Sequence, residues 1–432
     1  MEQLSYPDTY YAATRVYHDE WPSLQGGQRC RVCVIGGGFA GIMTAFGLAE
    51  RGWREVILLE KNRLGWGCSG RNGGFVFGGY SLDCESLARQ AGPEKAKSLY
   101  QLTVDAVQLI RRRITQYQID CQPVFGGVLL ANWFKDNGVL NKTQSFMRDA
   151  MGVDWPLIDS ETLRAEHIRS QRYSGALLEP YAFHFHPLNY ALGMAKIAEQ
   201  WGVKFFEQTP ALDIETTPNG YCIRTPAGEV HAEQVVVTGG GYFEGFMPPI
   251  SRTVLPVATY VMTTEPLGTR IRELLPTEAA VYDTRFAFDY YRRLPDDRLL
   301  WGGRISVFEP DAQRLKALLR RDLARVFPEL RDVGISHVWS GWMGYSRHKM
   351  PEIGQWKPGF WHLVGFGGHG VAPTTLCAEL VATAITQNDR RYQAFAAWPL
   401  VWAGGPVLGR AAAQLTYWWY ELKDWLKERL ER

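Results

Sequence analysis

The chain lacks a surplus of either charge. Its 47 Lys and Arg stand against 45 Asp and Glu, leaving a formal +2 over 432 residues and 49.0 kDa. A nucleic-acid protein normally shows a basic excess, so that class is disfavoured. A long apolar run is missing too. The best stretch, 393–409, is 17 residues long and is broken by Pro399, Gly404, Gly405 and Pro406, so no membrane-spanning helix is expected. There is no repeat of solenoid or propeller length and no low-complexity segment. Cysteine is sparse and odd in number, with 7 scattered at 30, 33, 68, 84, 121, 222 and 377. The opening MEQLSYPDTYY is polar, unlike a secretory leader. Together these predict a reducing, cytoplasmic setting without disulfides. Cys30 and Cys33 form one CxxC pair on an apolar run. Residues three apart on a strand should face opposite ways, so neither a zinc nor a redox role is read there.

What is abundant is apolar and aromatic. Hydrophobic residues make up 46% against 21% charged, enough for a core, and 16 Trp suit flat-ligand pockets or interfaces. The length calls for two domains or one large interleaved unit. Residues 85–118 and 187–202 read as helices. Residues 123–131, 203–207, 234–238, 254–264, 287–294, 298–303 and 359–364 read as strands, and a helix follows over 374–385. Nucleotide-type strand–helix junctions open and close the chain, with alternating strands between. This predicts an α/β protein in which a Rossmann-like domain, built from residues 28–88, 183–250 and 335–392, carries an inserted substrate domain. That insert has a mixed or antiparallel sheet and is built from 89–182 and 251–334. A tail over 393–432 completes the chain.

The strongest local pattern is Gly36-x-Gly38-x-x-Gly41, with Phe39 and Ala40 inside it. An apolar strand precedes it and a helical pattern follows. The second strand ends at Glu60, nineteen residues past Gly41. Glycines there allow the tight turn and close approach of backbone to a pyrophosphate, while the helix N-terminus offers free N–H groups. Glu60 can accept a ribose hydroxyl pair, and an acid disfavours the extra phosphate of NADP. Next comes Lys61, then a loop with Gly67, Cys68, Ser69, Arg71, Asn72, Gly73 and Gly74. A second junction holds Thr238, Gly239 and Gly240. A third runs through Gly368, His369 and Gly370 to Val371, Ala372 and Pro373. Three glycine junctions suit an extended flavin dinucleotide better than NAD.

With VIGGGFAGIMTAFGLAERG, LLEKNRLGWGCSGRNGG, VVVTGGGY, DYYRRLPDDRLLWGGR, WSGWMGYSRHKMPEIG and GFGGHGVAPT in hand, the chain resembles the FAD-dependent amino-acid oxidase superfamily of D-amino-acid, sarcosine and glycine oxidases. The likeness spans roughly residues 30–385. The SGRNGG loop and GFGGHGVAPT resemble a bacterial branch with γ-glutamylputrescine oxidases and L-pipecolate oxidases or dehydrogenases. The pipecolate enzyme is favoured, a role in lysine or amine breakdown. The resemblance implies oxidation of a C–N bond by hydride transfer to FAD, with O2, a quinone or an electron-transfer protein as final acceptor. Two readings stay open beside it: an oxidase of γ-glutamylputrescine or another N-substituted amine, and a non-catalytic FAD-binding subunit. Relatives that hold flavin covalently use a cysteine in the segment matching Trp342 to Tyr345. None is present, so non-covalent FAD is expected. Val371 and Ala372 stand where a carboxylate-binding lysine is found. Trp301 stands where a lysine promotes reaction with O2.

The substrate-side candidates are Arg71, for a carboxylate or the flavin, and His369. To these the resemblance adds Tyr260, Tyr290 and Tyr291, with Arg347 and His348 between two flavin-facing segments. Adjacent strand residues alternate, so only one of Tyr290 and Tyr291 should face a ligand. His184-x-His186 offers two imidazoles without a third ligand, so no metal is expected. Arg111 to Arg113 reads as a solvated helix face. From Val407 onward Leu408, Leu415, Trp418, Leu422 and Trp425 recur at helical spacing. The tail is read as a helix docked on its own protein or, alternatively, as a peripheral contact with the inner membrane face.

Overall fold

The computed structural model describes residues 5–308 and 310–431; residues 1–4, Glu309 and Arg432, and the side chains of Pro406 and Val407, lie outside the described residues. Two large sheets organise the chain. The first runs in the order Glu352–Lys357, Phe360–Val364, Gly228–Val237, Gly26–Ile35, Val56–Leu59 and Lys204–Phe206. Its central pairs are parallel. The central strands are apolar because both faces are covered, as a parallel sheet requires. Helices Phe39–Glu50 and Val371–Gln387 lie together on one face, where the Cβ that Gly47 lacks would sit 3.1 Å from Ala382.

The second sheet is mixed. Its order is Ile335–Ser346, Val254–Thr264, Leu299–Ser306, Tyr290–Arg293, Ala280–Asp283, Val128–Ala131, Gly175–Glu179 and Leu157–Asp159. Only the pair Ala280–Asp283 with Val128–Ala131 is parallel. The strand Ile335–Ser346, expected with the cofactor-binding pieces, instead runs the length of Val254–Thr264 in this second sheet. Its twelve residues form the edge of that sheet, a placement that composition alone does not reveal.

Three local readings are corrected. The helix over 85–118 is broken into Cys84–Ala91 and Pro93–Gln116, because Gly92 takes φ 82° and Pro93 starts the second helix. Arg113 is not solvated. It is 1% exposed and bonds Glu50 at 2.6 Å and Glu379 at 2.5 Å, tying three helices together. Cys30 and Cys33 fall in one apolar cluster rather than on opposite faces. The alternation is interrupted between them, where both Arg31 and Val32 donate to the carbonyl of Glu55. Both thiols remain free and buried.

Candidate active site

One cavity of about 1060 Å³ lies between the sheets. It gathers every glycine junction singled out in the sequence. Gly36, Gly38, Phe39, Ala40, Glu60 and Lys61 line it, as do Gly67, Cys68, Ser69, Asn72 and Gly73. So do Thr238, Gly239, Gly240, Gly368, His369, Gly370, Val371 and Ala372. Gly41, Gly74 and Pro373 stand behind this lining. A Cβ on Gly41 would lie 1.9 Å from the Gly36 carbonyl, so that glycine lets helix and strand close up. Gly74 takes φ 81° against Arg292. Pro373 is buried in the first turn of its helix.

The cradle suits a dinucleotide. Gly36 takes φ 109°, and a Cβ there would meet Thr238 Oγ1 at 2.8 Å. Thr238 Oγ1 donates toward the carbonyls of Ile35 and Gly36. Ser69 Oγ accepts the Phe39 N–H at 2.8 Å, holding the loop against the helix start. The Glu60 carboxylate accepts N–H groups from Gly37 at 2.6 Å and Asn62 at 2.7 Å. These bonds oppose burial, which pushes its acid group up. Both oxygens are thereby held by backbone at the strand end. Lys61 pairs with Glu244 at 2.7 Å.

The SGRNGG loop is built by side chains the sequence reading undervalued. Asn72 Oδ1 accepts from Gly74 N, and its amide donates to Ser69 O, both at 2.8 Å. Arg292, missed entirely, is 2% exposed and donates to Gly73 O at 2.8 Å and Phe185 O at 2.9 Å. Its pattern in sequence, the first of two Arg after two Tyr, carries no sign of this reach. Arg71 turns out of the cavity lining: its Nε donates to Trp66 O at 2.7 Å and its guanidinium lies 4.1 Å from the Trp66 ring.

The other candidates separate by sheet face. Tyr290 lines the cavity, whereas Tyr291 stacks on Trp301 with centroids 4.7 Å apart on the far side. Tyr260 is likewise in that far cluster and donates to the Phe308 carbonyl. Trp301 shares that far cluster and is absent from the cavity lining, and the strand register puts Gly302, not Trp301, opposite Tyr290. Arg347 lines the cavity mouth and is exposed. His348 does not line it and contacts Ser346, Glu352 and the Pro399 carbonyl instead. His184 and His186 do not converge: one faces Arg292 and the other Thr14. The groups that do converge, Cys222, Glu229 and His231 within 4.8 Å, lie on the outer hairpin away from the cavity lining.

Opposite the cradle the wall is aromatic. His369 meets Phe77 at 4.8 Å, Phe77 stacks on Tyr282, Tyr282 meets Phe288, Phe288 meets Tyr290 and Tyr290 meets Phe75. Burial among these walls pulls the His369 imidazole down to about 4, so it is neutral at pH 7. Cys68 is pushed up to about 11 by burial, so it stays a thiol. Of the cavity cations, Arg285 is bound to Asp283 and Asp289, and Arg304 to Asp322. Tail residues Trp402, Leu408, Ala412, Gln414 and Tyr417 complete the lining.

The FAD dependent oxidoreductase family matches residues 31–384. The γ-glutamylputrescine oxidoreductase of Escherichia coli K12 is 33% identical over 420 residues, covering 96% of this chain and 98% of its own. A probable oxidoreductase, OrdL, of Haemophilus influenzae is 32% identical, covering 96% and 97%. The crystal structure of glycine oxidase from Geobacillus kaustophilus superposes with a TM-score of 0.74 at 21% identity, covering 87% and 99%. The cavity's glycine junctions, the Glu60 carboxylate and these matches agree: the chain belongs to the FAD dependent oxidoreductase family and is an FAD-dependent enzyme acting on an amine or amino acid.

Proposed function

We propose that the substrate is an amine bearing its carboxylate at a distance from the reacting carbon, a class that γ-glutamylputrescine represents. One observation carries this. Among the described residues, the cavity cations without an acid partner are Arg347 and Lys349, both exposed at the mouth. The Lys349 ammonium lies 5.9 Å from the centre of the Phe286 ring. The inner, aromatic part offers no unpaired cation, because Arg285 is spent on two carboxylates and Arg71 is turned away. A buried carboxylate without a partner is costly. A substrate carboxylate adjacent to the reacting carbon has no anchor there, and one at the far end of a chain does.

Bound FAD supplies a two-electron acceptor for the hydride of the C–H beside nitrogen. The chain's residues do the rest. The aromatic wall excludes water and holds the alkyl chain flat. No protein group hydrogen-bonds the His369 ring among the described residues, and it is neutral at pH 7. So weak a base cannot deprotonate an ammonium; the amine enters after losing its proton to water, and the neutral ring can accept a hydrogen bond from the amine N–H. The resulting imine hydrolyses after release.

L-pipecolate is the second reading, favoured by the aromatic wall alone, which would fit an apolar ring. Anaerobic flavin bleaching by γ-glutamylputrescine, putrescine and L-pipecolate separates the two. The first should be fastest. Replacing both Arg347 and Lys349 by Ala should raise its KM about 3- to 10-fold with kcat little changed, the scale of solvent-exposed charge contacts. Faster bleaching by L-pipecolate, indifferent to those substitutions, would reject the distal-carboxylate reading. Peroxide yield in air then tells whether O2 or another acceptor, such as a quinone, takes the electrons.

A further inference from the structure

The tail helix Arg410–Leu430 docks on the protein by its polar face. Gln414 Oε1 accepts from Ser306 Oγ at 3.1 Å and Val307 N at 3.2 Å. Asp424 accepts from Phe286 N at 2.9 Å, and Glu431, just past the helix, from Lys135 N at 2.7 Å. Glu428 pairs with Arg325 at 2.8 Å and Arg172 at 3.3 Å, and Glu421 lies 3.6 Å from Arg304. At 3.6 residues per turn these positions form one face. Leu415, Trp419, Leu422, Leu426 and Leu430 form the opposite one, and Leu408 extends it to the cavity mouth. Leu415 is 63% and Trp419 is 56% exposed. An amphipathic helix ordinarily buries such a stripe and leaves its acids in water. Here the arrangement is reversed.

We propose that this stripe is a docking surface for an anionic lipid bilayer, lying in the headgroup region. The proposal goes beyond the assignment of substrate and does not depend on it. Two observations favour lipid over other occupants. First, all four acids of the segment are engaged inward, so the outward half carries charge of one sign only. Lys423 lies over Trp419 and Tyr420, Arg429 over Trp425, and neither has an acid partner among the described residues. Leucines and Trp419 at the centre, with Trp418, Trp425, Lys423 and Arg429 at the margins, suit the apolar-to-headgroup boundary. Second, a second copy seated face to face would set Lys423 and Arg429 of both chains together with no acid between them. Among the described residues no helix is long and apolar enough to cross a membrane, and the proposed contact is peripheral. Docking this way also brings the cavity mouth, through Leu408, to the lipid surface.

The test is flotation of the FAD-loaded full chain with vesicles of phosphatidylcholine, alone or mixed with phosphatidylglycerol. Binding should require phosphatidylglycerol and weaken with added salt. Replacing Leu422 and Leu426 together by Glu should cut the bound fraction about ten-fold or more, with flavin content and activity in solution unchanged, because neither lines the cavity. Replacing Lys423 and Arg429 by Glu should abolish the preference for the anionic vesicles. Absence of binding to either vesicle overturns the proposal. So does a concentration-dependent dimer that Leu422→Glu and Leu426→Glu dissociate, which would make a second copy the occupant.

Discussion

The ring of Tyr290 lies over Gly302, close enough that a Cβ on that glycine would stand 2.1 Å from Tyr290 Cζ. The two are register partners on neighbouring strands, so the smallest residue in one makes room for a cavity wall in the other. Gly302→Ala should push the ring into the cavity and lower kcat/KM about ten-fold or more, since small misplacements at a reacting centre are expensive. Adding Gly302→Ala to Tyr290→Ala should cost little more than Tyr290→Ala alone, because the clash is then gone. Steady-state kinetics on the three variants checks this; additive losses would show that Gly302 acts through something other than the ring.

Glu60→Gln should weaken FAD binding. The carboxylate accepts from Gly37 N and Asn62 N on separate oxygens, and an amide must present a donor to one of them. Loss of one charge-assisted bond of about 1.5–3 kcal/mol corresponds to roughly 10- to 100-fold in Kd. Fluorescence titration of apoprotein with FAD measures it, and an unchanged Kd would place the ribose elsewhere.

All of the yellow colour should leave the protein on acid precipitation. The cysteine lining the cavity, Cys68, is a thiol held up at about 11 by burial and is a poor nucleophile at neutral pH. Flavin retained in the pellet, and lost from a Cys68→Ser variant, would show a thioether.

Stability should peak near neutral pH. Burial lowers His184 and His186 to about 3 and His362 to about 4, from 6.5. The unfolded chain therefore takes up protons below pH 6.5 that the fold refuses, and stability falls as pH drops from 6.5 toward 4. Each such group contributes up to about 1.4 kcal/mol per pH unit. Glu179 works the other way: burial raises it to about 8 from 4.5, so its contribution is lost as pH rises through 8. His369, also lowered to about 4, joins these imidazoles, and together they outnumber Glu179 and Asp289, whose acid groups burial raises, so the acid limb is the steeper. Tm measured at pH 5, 7 and 9 should be highest at 7; a flat profile between 5 and 7 would show that these imidazoles are solvated.

The cofactor cradle was legible in the chain itself. Backbone recognition of a dinucleotide needs glycines at short fixed spacing and an acid one strand later, and Gly36, Gly38, Gly41 and Glu60 meet that need within one local unit. Such contacts are close in sequence, so a pattern can hold them. The aromatic wall is another matter. Phe75, Phe77, Tyr282, Phe288 and Tyr290 meet only because the segment of the short strand Phe75–Val76 packs against the second sheet, and any of these rings in isolation reads as core. Arg71 against Arg292 makes the same point: one arginine lies in a glycine-rich loop and the other on a strand, and only the fold decides that the first stacks on Trp66 while the second braces the glycine loop. Which face of a strand looks inward also turned on a register one residue wide, setting Gly302 rather than Trp301 behind the Tyr290 ring. The tail shows the limit most sharply. Its amphipathic period was plain from Leu408 to Leu430, but period fixes only that two faces exist. Which face the protein covers depends on partners far away in sequence, here Arg304, Arg325 and the Phe286 and Lys135 backbone, whose ion pairs and hydrogen bonds took the polar face and left the leucines outside.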